Sequence, residues 1–282
     1  MGKNKKILVT GSSGFVGKKL VEKLEYLDFK IIKADLVECI NLNNFNEVKD
    51  IGEFDVVVHL AANTFVPDSF ENPRKFYYNN INSTLNILEV CRINNASLVF
   101  VSSYVYGKPD YLPIDENHPL KGHNPYAQSK IICEQICEGY WRDHNVPVVI
   151  IRPSNIYGEG QNPNFLIPKI IKQARNGNIN LKNSKTKRDF IYIDDIVRAY
   201  TMIVEKNIEG YQVYNLGAGK SYSVKEIVDI VCNFMGREIT VLYEEIYRKN
   251  EIMETVYDIN KIKKEIKWEP GIDLKEGLKK LT

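Results

Sequence analysis

The sequence predicts an α/β protein with a doubly wound parallel sheet and a smaller C-terminal lobe. Short apolar runs without polar alternation recur through the first half of the chain, as is typical of strands buried on both faces. Amphipathic stretches with helical spacing separate these runs. The alternation loosens after Arg152, where Pro- and Asn-rich stretches interrupt it. We therefore expect a first domain at 1–153, to which segments at about 187–217 return, and a lobe formed mainly by 154–282.

Each predicted element rests on its own run of residues. The apolar runs predict strands at 6–9, 30–32, 54–60, 98–101 and 148–151. Apolar residues that recur every three to four positions predict helices at 18–27, 82–91, about 125–144 and 223–235. Strands that alternate with helices in this order form the parallel sheet of a doubly wound fold.

Composition excludes several classes of protein. The chain has 282 residues, 44% of them hydrophobic, which is ordinary for a globular protein. Its 38 Lys and Arg against 36 Asp and Glu give a net charge of +2, and no basic stripe is present, so we expect no nucleic-acid partner. The apolar segment after the first six residues is too short for a signal sequence or a membrane span. We expect a cytoplasmic protein without membrane contact.

The five cysteines favour reduced thiols. None forms a CxxC pair, and the count is odd. Cys133 and Cys137 share a helix face, but no His or acidic residue accompanies them at zinc spacing. We expect no metal site.

A glycine-rich loop follows the first predicted strand. The segment TGSSGFVG, residues 10–17, places Gly11, Gly14 and Gly17 between a strand and a helix. Glycines at this spacing allow a tight turn, close approach of a diphosphate and close helix–strand packing, and the helix N-terminus attracts the anion. The pattern predicts a dinucleotide site, although a glycine-rich turn can also be only a turn.

Asp35 ends the second predicted strand, 18 residues after Gly17. An acidic side chain at this point can accept hydrogen bonds from both adenosine ribose hydroxyls and would repel a 2′-phosphate. No Arg lies between Asp35 and Arg74. The sequence therefore favours NAD over NADP, the alternative being that Asp35 is a solvated strand end.

Tyr126 and Lys130 lie one turn apart on one predicted helix. A phenol titrates at about pH 10, so a proton shuttle at neutral pH needs a strongly stabilised phenolate. An adjacent ammonium and a positive nicotinamide ring can supply that stabilisation. The alternative is a surface Tyr that stacks on a Lys stem.

Ser102 and Ser103 directly follow the strand predicted at 98–101. The carboxyl end of a parallel strand faces the ligand crevice, so Ser102 can hold a substrate hydroxyl or carbonyl against Tyr126. The alternative for Ser102 is a capping serine.

The ordered motifs resemble a known family over nearly the whole chain. They are TGSSGFVG (10–17), DVVVHLAA (55–62), SSYVYG (102–107), YAQSK (126–130), RPSNIYG (152–158) and RDFIYIDDI (188–196). The chain resembles extended short-chain dehydrogenases/reductases, specifically the NAD-dependent sugar-nucleotide epimerase/dehydratase family. The resemblance implies a Rossmann-type sheet and a smaller substrate-binding lobe.

The resemblance also implies roles for individual residues. Ser102, Tyr126 and Lys130 would form the catalytic triad, with Lys130 also holding the nicotinamide ribose. Asn80 would support the central helix, and Asn41 replaces the family's usual Asp beside the adenine. The cofactor-binding residues implied are Gly11, Ser13, Gly14, Phe15, Val16, Gly17, Asp35, Leu36, Asn41, Leu42, Leu60, Ala61, Ala62, Asn80, Tyr126 and Lys130.

The implied substrate is a nucleoside diphosphate sugar. Arg188, Arg248 and Asn155 match positions that hold its diphosphate, and arginine suits that task because its planar fork pairs two phosphate oxygens. Ser102 and Ser103 would contact the sugar. The alternative for Arg248 is a solvated charged turn. Relatives usually form homodimers through two helices, which here would be 82–91 and 131–141.

The residues after Ser102 bear on the reaction. Dehydratases of this family carry an Asp–Glu pair there, whereas this chain has Ser103 and Tyr104, so we expect no 4,6-dehydration. We expect epimerisation at C4 through a transient 4-keto sugar. The alternative enzyme is an NAD(P)H-dependent reductase of a 4-keto-6-deoxy sugar nucleotide. A non-catalytic dinucleotide sensor would need the glycine loop but not the three catalytic side chains together.

Overall fold

The computed structural model describes residues 5–206, 209–247 and 251–282, which divide into two compact units. Unit 1 contains the residues up to Lys108, Pro119–Pro153 and Val197–Tyr214; unit 2 contains Pro109–His118, Ser154–Ile196 and Asn215–Thr282. The segment that returns to unit 1 is narrower than the 187–217 expected, because 187–192 form a strand of a unit 2 sheet. Nothing in the sequence predicted that residues 109–118 belong to unit 2.

A six-stranded sheet organises unit 1, with strand order β2-β1-β3-β4-β5-β9. The pairs β2–β1, β1–β3, β3–β4 and β4–β5 are parallel, and the order reverses beside β1, so the predicted doubly wound fold is confirmed. The strands are β1 (Lys6–Thr10), β2 (Lys30–Ala34), β3 (Val56–His59), β4 (Ser97–Val101), β5 (Val148–Pro153) and β9 (Tyr211–Leu216).

Six helices accompany these strands within the described residues, namely α1 (Phe15–Tyr26), α2 (Phe45–Lys49), α3 (Val66–Glu71), α4 (Pro73–Asn94), α5 (Pro125–His144) and α7 (Ile193–Lys206). Helix α5 has the bounds predicted for it. Its N-cap Asn124 accepts a hydrogen bond from the Ala127 backbone at 2.7 Å. Helix α4 is much longer than the predicted 82–91, because its polar first half lacks the apolar spacing on which that prediction rested.

The core of unit 1 lies between the sheet and its helices. Leu8, Phe100 and Ile150 from three strands are wholly buried and pack with Ile87 of α4 and Cys133 of α5. This packing fixes α4 and α5 against one face of the sheet. All five cysteines are free thiols. No helix of the described residues has the length and apolar character needed to cross a membrane.

Unit 2 has two small sheets, ordered β10-β8-β6 and β11-β7. Its strands are β6 (Asn155–Tyr157), β7 (Asn178–Leu181), β8 (Lys187–Tyr192), β10 (Ser221–Ser223) and β11 (Thr240–Tyr243). Its helices are α6 (Leu166–Arg175), α8 (Val224–Met235), α9 (Asn260–Ile266) and α10 (Leu274–Lys279). Helix α8 begins one residue after the predicted start, because Ser223 is its N-cap and forms a capping box with Glu226.

Asp189 holds three segments of unit 2 together. Its carboxylate is 1% exposed and accepts hydrogen bonds from the backbone N–H of Ala218, Gly219 and Tyr257 at 2.7, 3.0 and 3.2 Å, and from the Ser154 hydroxyl at 3.1 Å. Burial raises the pKa of Asp189 to about 6, although these hydrogen bonds act to lower it.

Candidate active site

The glycine-rich loop joins β1 to α1 in a conformation that needs two of its glycines. Gly11 has φ +67°, and a Cβ there would lie 2.9 Å from the Ala61 backbone nitrogen. A Cβ on Gly17 would collide with the carbonyl oxygen of Gly11. The glycines therefore bring the loop onto the end of β3 and the helix onto the loop.

The N-terminus of α1 fits a dinucleotide diphosphate. Gly14 is the N-cap, so no side chain caps the helix, and no acidic residue lies in its first turn. The N–H groups of Phe15, Val16 and Gly17 have no partner within the helix, as at any helix start. They offer hydrogen bonds and positive dipole to an anion.

Asp35 lies beside this loop as a firmly held anion. One carboxylate oxygen accepts from the Ser12 hydroxyl at 2.9 Å and the Ser13 backbone at 2.7 Å; the other accepts from the Val37 and Glu38 backbones at 2.9 and 3.2 Å. Burial alone would raise the pKa of Asp35, but these hydrogen bonds outweigh it and lower the pKa to about 2. The charge therefore persists throughout the physiological pH range.

The other predicted cofactor residues differ in exposure. Leu36, next to Asp35, is 76% exposed, whereas Leu42 is 7% exposed and packs in the core. Asn41 is exposed, and its backbone donates to Glu47 at 2.6 Å. The half-buried residues that follow β3 are Leu60, Ala61 and Ala62.

Asn80 connects α4 to the start of α5. Its side-chain amide donates to the Ser129 hydroxyl at 2.9 Å, and this hydroxyl donates to the carbonyl of Tyr126 at 2.7 Å. Its amide oxygen accepts from the Asn63 backbone at 2.8 Å. At 2% exposure, Asn80 thus supports the turn of α5 that carries Tyr126 and Lys130.

Tyr126 and Lys130 are both set against buried aromatic rings. The Tyr126 ring lies 6.4 Å from the Phe76 ring, edge to face, and the Lys130 Nζ lies 4.3 Å from the centre of the Phe100 ring. Burial lowers the pKa of Lys130. Because Phe100 is a β4 residue two positions before Ser102, Lys130 lies against the strand that ends at the predicted catalytic serine.

The surrounding protein alone shifts the pKa of Tyr126 upward. Burial raises it to about 12. The surrounding protein therefore keeps the phenol protonated, because burial disfavours the charged phenolate.

Ser102 and Ser103 follow β4 as predicted. The Ser102 backbone donates to the Ile151 carbonyl at 2.7 Å, which continues the pairing with β5. Its hydroxyl donates to a Glu134 carboxylate oxygen at 2.5 Å. Ser103 is 8% exposed, and its Oγ is buried without a hydrogen-bond partner in the described structure. Such an atom is suited to a polar ligand.

Glu134 and Arg152 are buried charges that the sequence reasoning missed. An Arg152 Nη lies 2.6 Å from a Glu134 carboxylate oxygen, with side-chain exposures of 6% and 3%. The other Arg152 Nη donates to the Tyr106 hydroxyl at 3.1 Å. Glu134 lies one turn beyond Lys130 on α5, and that spacing was the available signal.

The predicted diphosphate ligands in unit 2 have protein partners. An Arg188 Nη lies 2.9 Å from a Glu251 carboxylate oxygen, and both side chains are partly exposed. The exposed Asn155 donates its side-chain amide to the Asp189 carbonyl at 2.9 Å. Arg248 lies outside the described residues.

Comparison with known proteins gives a consistent assignment. The family model described as "NAD dependent epimerase/dehydratase family" matches residues 7–217. A candidate UDP-glucose 4-epimerase of Methanocaldococcus jannaschii is 35% identical, covering 98% of this chain and 97% of that protein. The GDP-6-deoxy-D-talose 4-dehydrogenase of Aggregatibacter actinomycetemcomitans is 34% identical, covering 91% of this chain and 90% of that protein.

The solved structures support the same family assignment. Thermotoga maritima UDP-glucose 4-epimerase with UDP-glucose superposes with a TM-score of 0.89 at 25% identity, covering 98% of this chain and 96% of that one. Relatives also include dTDP-D-glucose 4,6-dehydratases. The family's dependence on NAD confirms the predicted cofactor, and the glycine loop and Asp35 fit it. The chain is therefore an enzyme of the NAD-dependent epimerase/dehydratase family.

Proposed function

We propose that this protein epimerises a nucleoside diphosphate sugar at C4 through a transient 4-keto sugar. The observation that carries the proposal is the meeting of α5 with the end of β4. Helix α5 brings Tyr126 and Lys130 to one face, and Ser102 is bonded to the same helix through Glu134. NAD, when bound, would accept hydride from the sugar C4 and return it to the other face of the 4-keto sugar.

Asp35 supports use of NAD rather than NADP. Its carboxylate stays ionised at physiological pH and would repel a 2′-phosphate. The first-turn N–H groups of α1 would hold the diphosphate.

Tyr126 would move the proton of the sugar hydroxyl. With a pKa of about 12 it holds a proton at neutral pH, which suits return of a proton to the keto oxygen. Removal of the hydroxyl proton needs the phenolate. Lys130, buried and close to the strand end, would stabilise that phenolate together with the positive charge of the cofactor, because charges act strongly where water is excluded.

Substrate contacts are proposed for each unit by itself. Ser102 and the unpartnered Ser103 hydroxyl would contact the reacting part of the sugar. Asn155, Arg188 and Arg248 would hold the diphosphate. Arg188 would then exchange or share its contact with Glu251, which is partly exposed.

We propose that the protein does not perform 4,6-dehydration. Elimination of water needs an acid and a base. Ser103 and Tyr104 follow Ser102, and the Tyr104 hydroxyl is bonded to the Gly107 carbonyl at 2.5 Å. No carboxyl group lies at either position.

A reductase is the second candidate. The GDP-6-deoxy-D-talose 4-dehydrogenase relative supports it, since the same triad can reduce a 4-keto sugar at the expense of NAD(P)H. Tightly retained NAD without net consumption supports the epimerase, whereas stoichiometric oxidation of NADH or NADPH with a 4-keto-6-deoxy sugar nucleotide supports the reductase.

The test is a panel of UDP-, GDP-, dTDP- and CDP-sugars, with products separated by chromatography and identified by NMR. We expect a C4 epimer from at least one of them, no product lacking one water, and no turnover by Tyr126→Phe, which should still bind NAD. Tyr140→Phe changes another tyrosine of α5 and should keep full activity. Unchanged turnover of Tyr126→Phe would refute the triad assignment.

We also propose a homodimer formed by α4 and α5. Both helices carry partly exposed large apolar side chains, among them Leu85 at 39%, Ile93 at 46% and Trp141 at 37%. Light scattering would report a mass of one chain if this is wrong.

A further inference from the structure

We propose that Glu134 is a positioning residue that holds the Ser102 hydroxyl as a hydrogen-bond acceptor toward the reacting sugar, with Arg152 as its anchor. The inference rests on the proposed role of Ser102 in the reaction. It adds two side chains, at the third turn of α5 and at β5, that touch neither substrate nor cofactor and act through Ser102.

The Glu134 carboxylate is held by Arg152 and accepts a hydrogen bond from Ser102. Arg152 donates from Nη2 to Oε2 at 2.6 Å and from Nε to Oε1 at 3.1 Å. The Ser102 hydroxyl donates to Oε1 at 2.5 Å. Burial would lower the pKa of Arg152, but the opposed charge of Glu134 and the Tyr106 hydroxyl raise it above its usual value, so the guanidinium stays charged.

The bond to Glu134 settles the direction of the Ser102 hydroxyl. A serine has one proton to donate and two lone pairs that accept. Because the proton is directed to Glu134, Ser102 presents lone pairs elsewhere. It can accept from a sugar hydroxyl or from the Tyr126 phenol, but it cannot donate to a keto oxygen without breaking the bond to Glu134. Donation to the keto oxygen is then left to Tyr126.

A buried ion pair is costly to maintain for stability alone, since apolar residues of similar volume often serve equally well. The contact with Ser102 gives this pair a second task. Glu134 also shares a face of α5 with Tyr126 and Lys130, because these residues are four positions apart. The helix thus carries the proton carrier, the cation and the anchor of Ser102 in one row.

Two substitutions separate the hydrogen bond from the charge. Glu134→Gln has one carbonyl oxygen, which Arg152 would take, and it would turn its NH₂ group toward Ser102 and so reverse the bond. Glu134→Asp keeps the negative charge but withdraws the carboxylate from Ser102. We expect both to lower kcat on the order of a hundredfold, as small misplacements in a reacting group do, with smaller changes in KM.

The decisive experiment is a double-mutant cycle with Ser102→Ala. Both Glu134 substitutions should lose their effect on kcat in the Ser102→Ala background, because their only route to the reaction has been removed. Equal losses in both backgrounds would overturn the inference and leave Glu134 as a structural residue. Glu138→Gln, the same change one exposed turn further along α5, should be silent.

The four proteins of the Glu134→Gln cycle also give the coupling between the two side chains in urea unfolding, without any substrate. If the wild type turns over no sugar nucleotide, the proposed function fails, and the unfolding cycle still decides whether Ser102 and Glu134 are bonded. Zero coupling overturns the inference; measurable coupling supports it. If Glu134→Gln does not fold, Glu134→Asp completes the cycle.

Discussion

Thr10 and His59 are joined by a hydrogen bond of 2.7 Å between Oγ1 and Nδ1, and neither side chain is exposed to solvent. Thr10 Oγ1 also accepts from the Ala61 backbone at 3.2 Å. The other ring nitrogen of His59 lies 3.3 Å from the Thr84 hydroxyl, which donates to the carbonyl of Asn80 at 2.7 Å. A neutral histidine thus connects the end of β1 to the helix that supports Tyr126.

This arrangement predicts acid-sensitive stability. Burial, and next the charge of Lys130, lower the pKa of His59 from 6.5 to about 3. Between these values the unfolded chain binds a proton that the folded chain excludes, so stability is complete above pH 6.5 and falls as the pH is lowered. From pH 7 to pH 5 the free energy of unfolding should fall by about 2 kcal/mol through this group.

Urea unfolding at the two pH values measures the effect. His59→Asn keeps an acceptor for Thr10 and removes the titrating ring, so its stability should depend less on pH than that of the wild type. His144→Asn, at an exposed position, serves as the control. Identical pH dependence in His59→Asn and the wild type would contradict the prediction.

Asp35→Asn should weaken NAD binding and reduce the protein's preference for NAD over NADP. The substitution removes the negative charge that would repel a 2′-phosphate, and its NH₂ group would face backbone donors that now meet a carboxylate. We expect the ratio of the two dissociation constants to shift by tenfold or more toward NADP, about 1.4 kcal/mol. Calorimetric titration measures it, with exposed Asp50→Asn as the control. An unchanged ratio would show that Asp35 does not discriminate between the two cofactors at the ribose.

Two helical glycines should respond to alanine in opposite directions. A Cβ at Gly17 collides with the loop backbone, whereas a Cβ at Gly139 of α5 meets no atom within 4 Å. Gly17→Ala should lower both the melting temperature and NAD affinity. Gly139→Ala should stabilise the protein by about 0.5–1 kcal/mol, because glycine is a poor helix former. A stable Gly17→Ala protein with full NAD affinity would show that the loop does not need its close packing.

Arg188→Ala should raise KM for the sugar nucleotide more than it lowers kcat. A diphosphate contact is far from the reacting carbon and contributes equally to ground state and transition state. Initial-rate kinetics measure the split, and Arg142→Ala, which removes an exposed arginine of α5, is the control. A selective fall in kcat would place Arg188 at the chemistry instead.

The sequence predicted what depends on local pattern. The parallel sheet, helix α5, the glycine loop and the row of Tyr126 and Lys130 all follow from spacing, because each element repeats with a fixed period or needs a particular residue type. The division into two units was harder to predict, because no pattern in the sequence indicates that residues 109–118 belong to unit 2.

Buried ionisable side chains were the main omission. Arg152 and His59 carry no pattern of their own, because the cost of burying them is met by partners far along the chain. Glu134 shows only its spacing of one turn from Lys130. The pKa of Tyr126 in the protein alone could not be predicted from the sequence for the same reason. Spacing shows that Lys130 is one turn away, but the extent of desolvation depends on the complete fold.

Tyr126, Lys130 and Glu134 form a row on one face of α5, with one side chain per turn. Adding or deleting a single residue between them would rotate the side chains that follow by about 100° about the helix axis and shift them about 1.5 Å along it. Point substitutions can alter one side chain at a time, but a change of length would disturb the relative positions of all three. We therefore expect natural insertions in this protein's lineage to fall outside the stretch from Tyr126 to Glu134, whatever sugar the enzyme comes to accept.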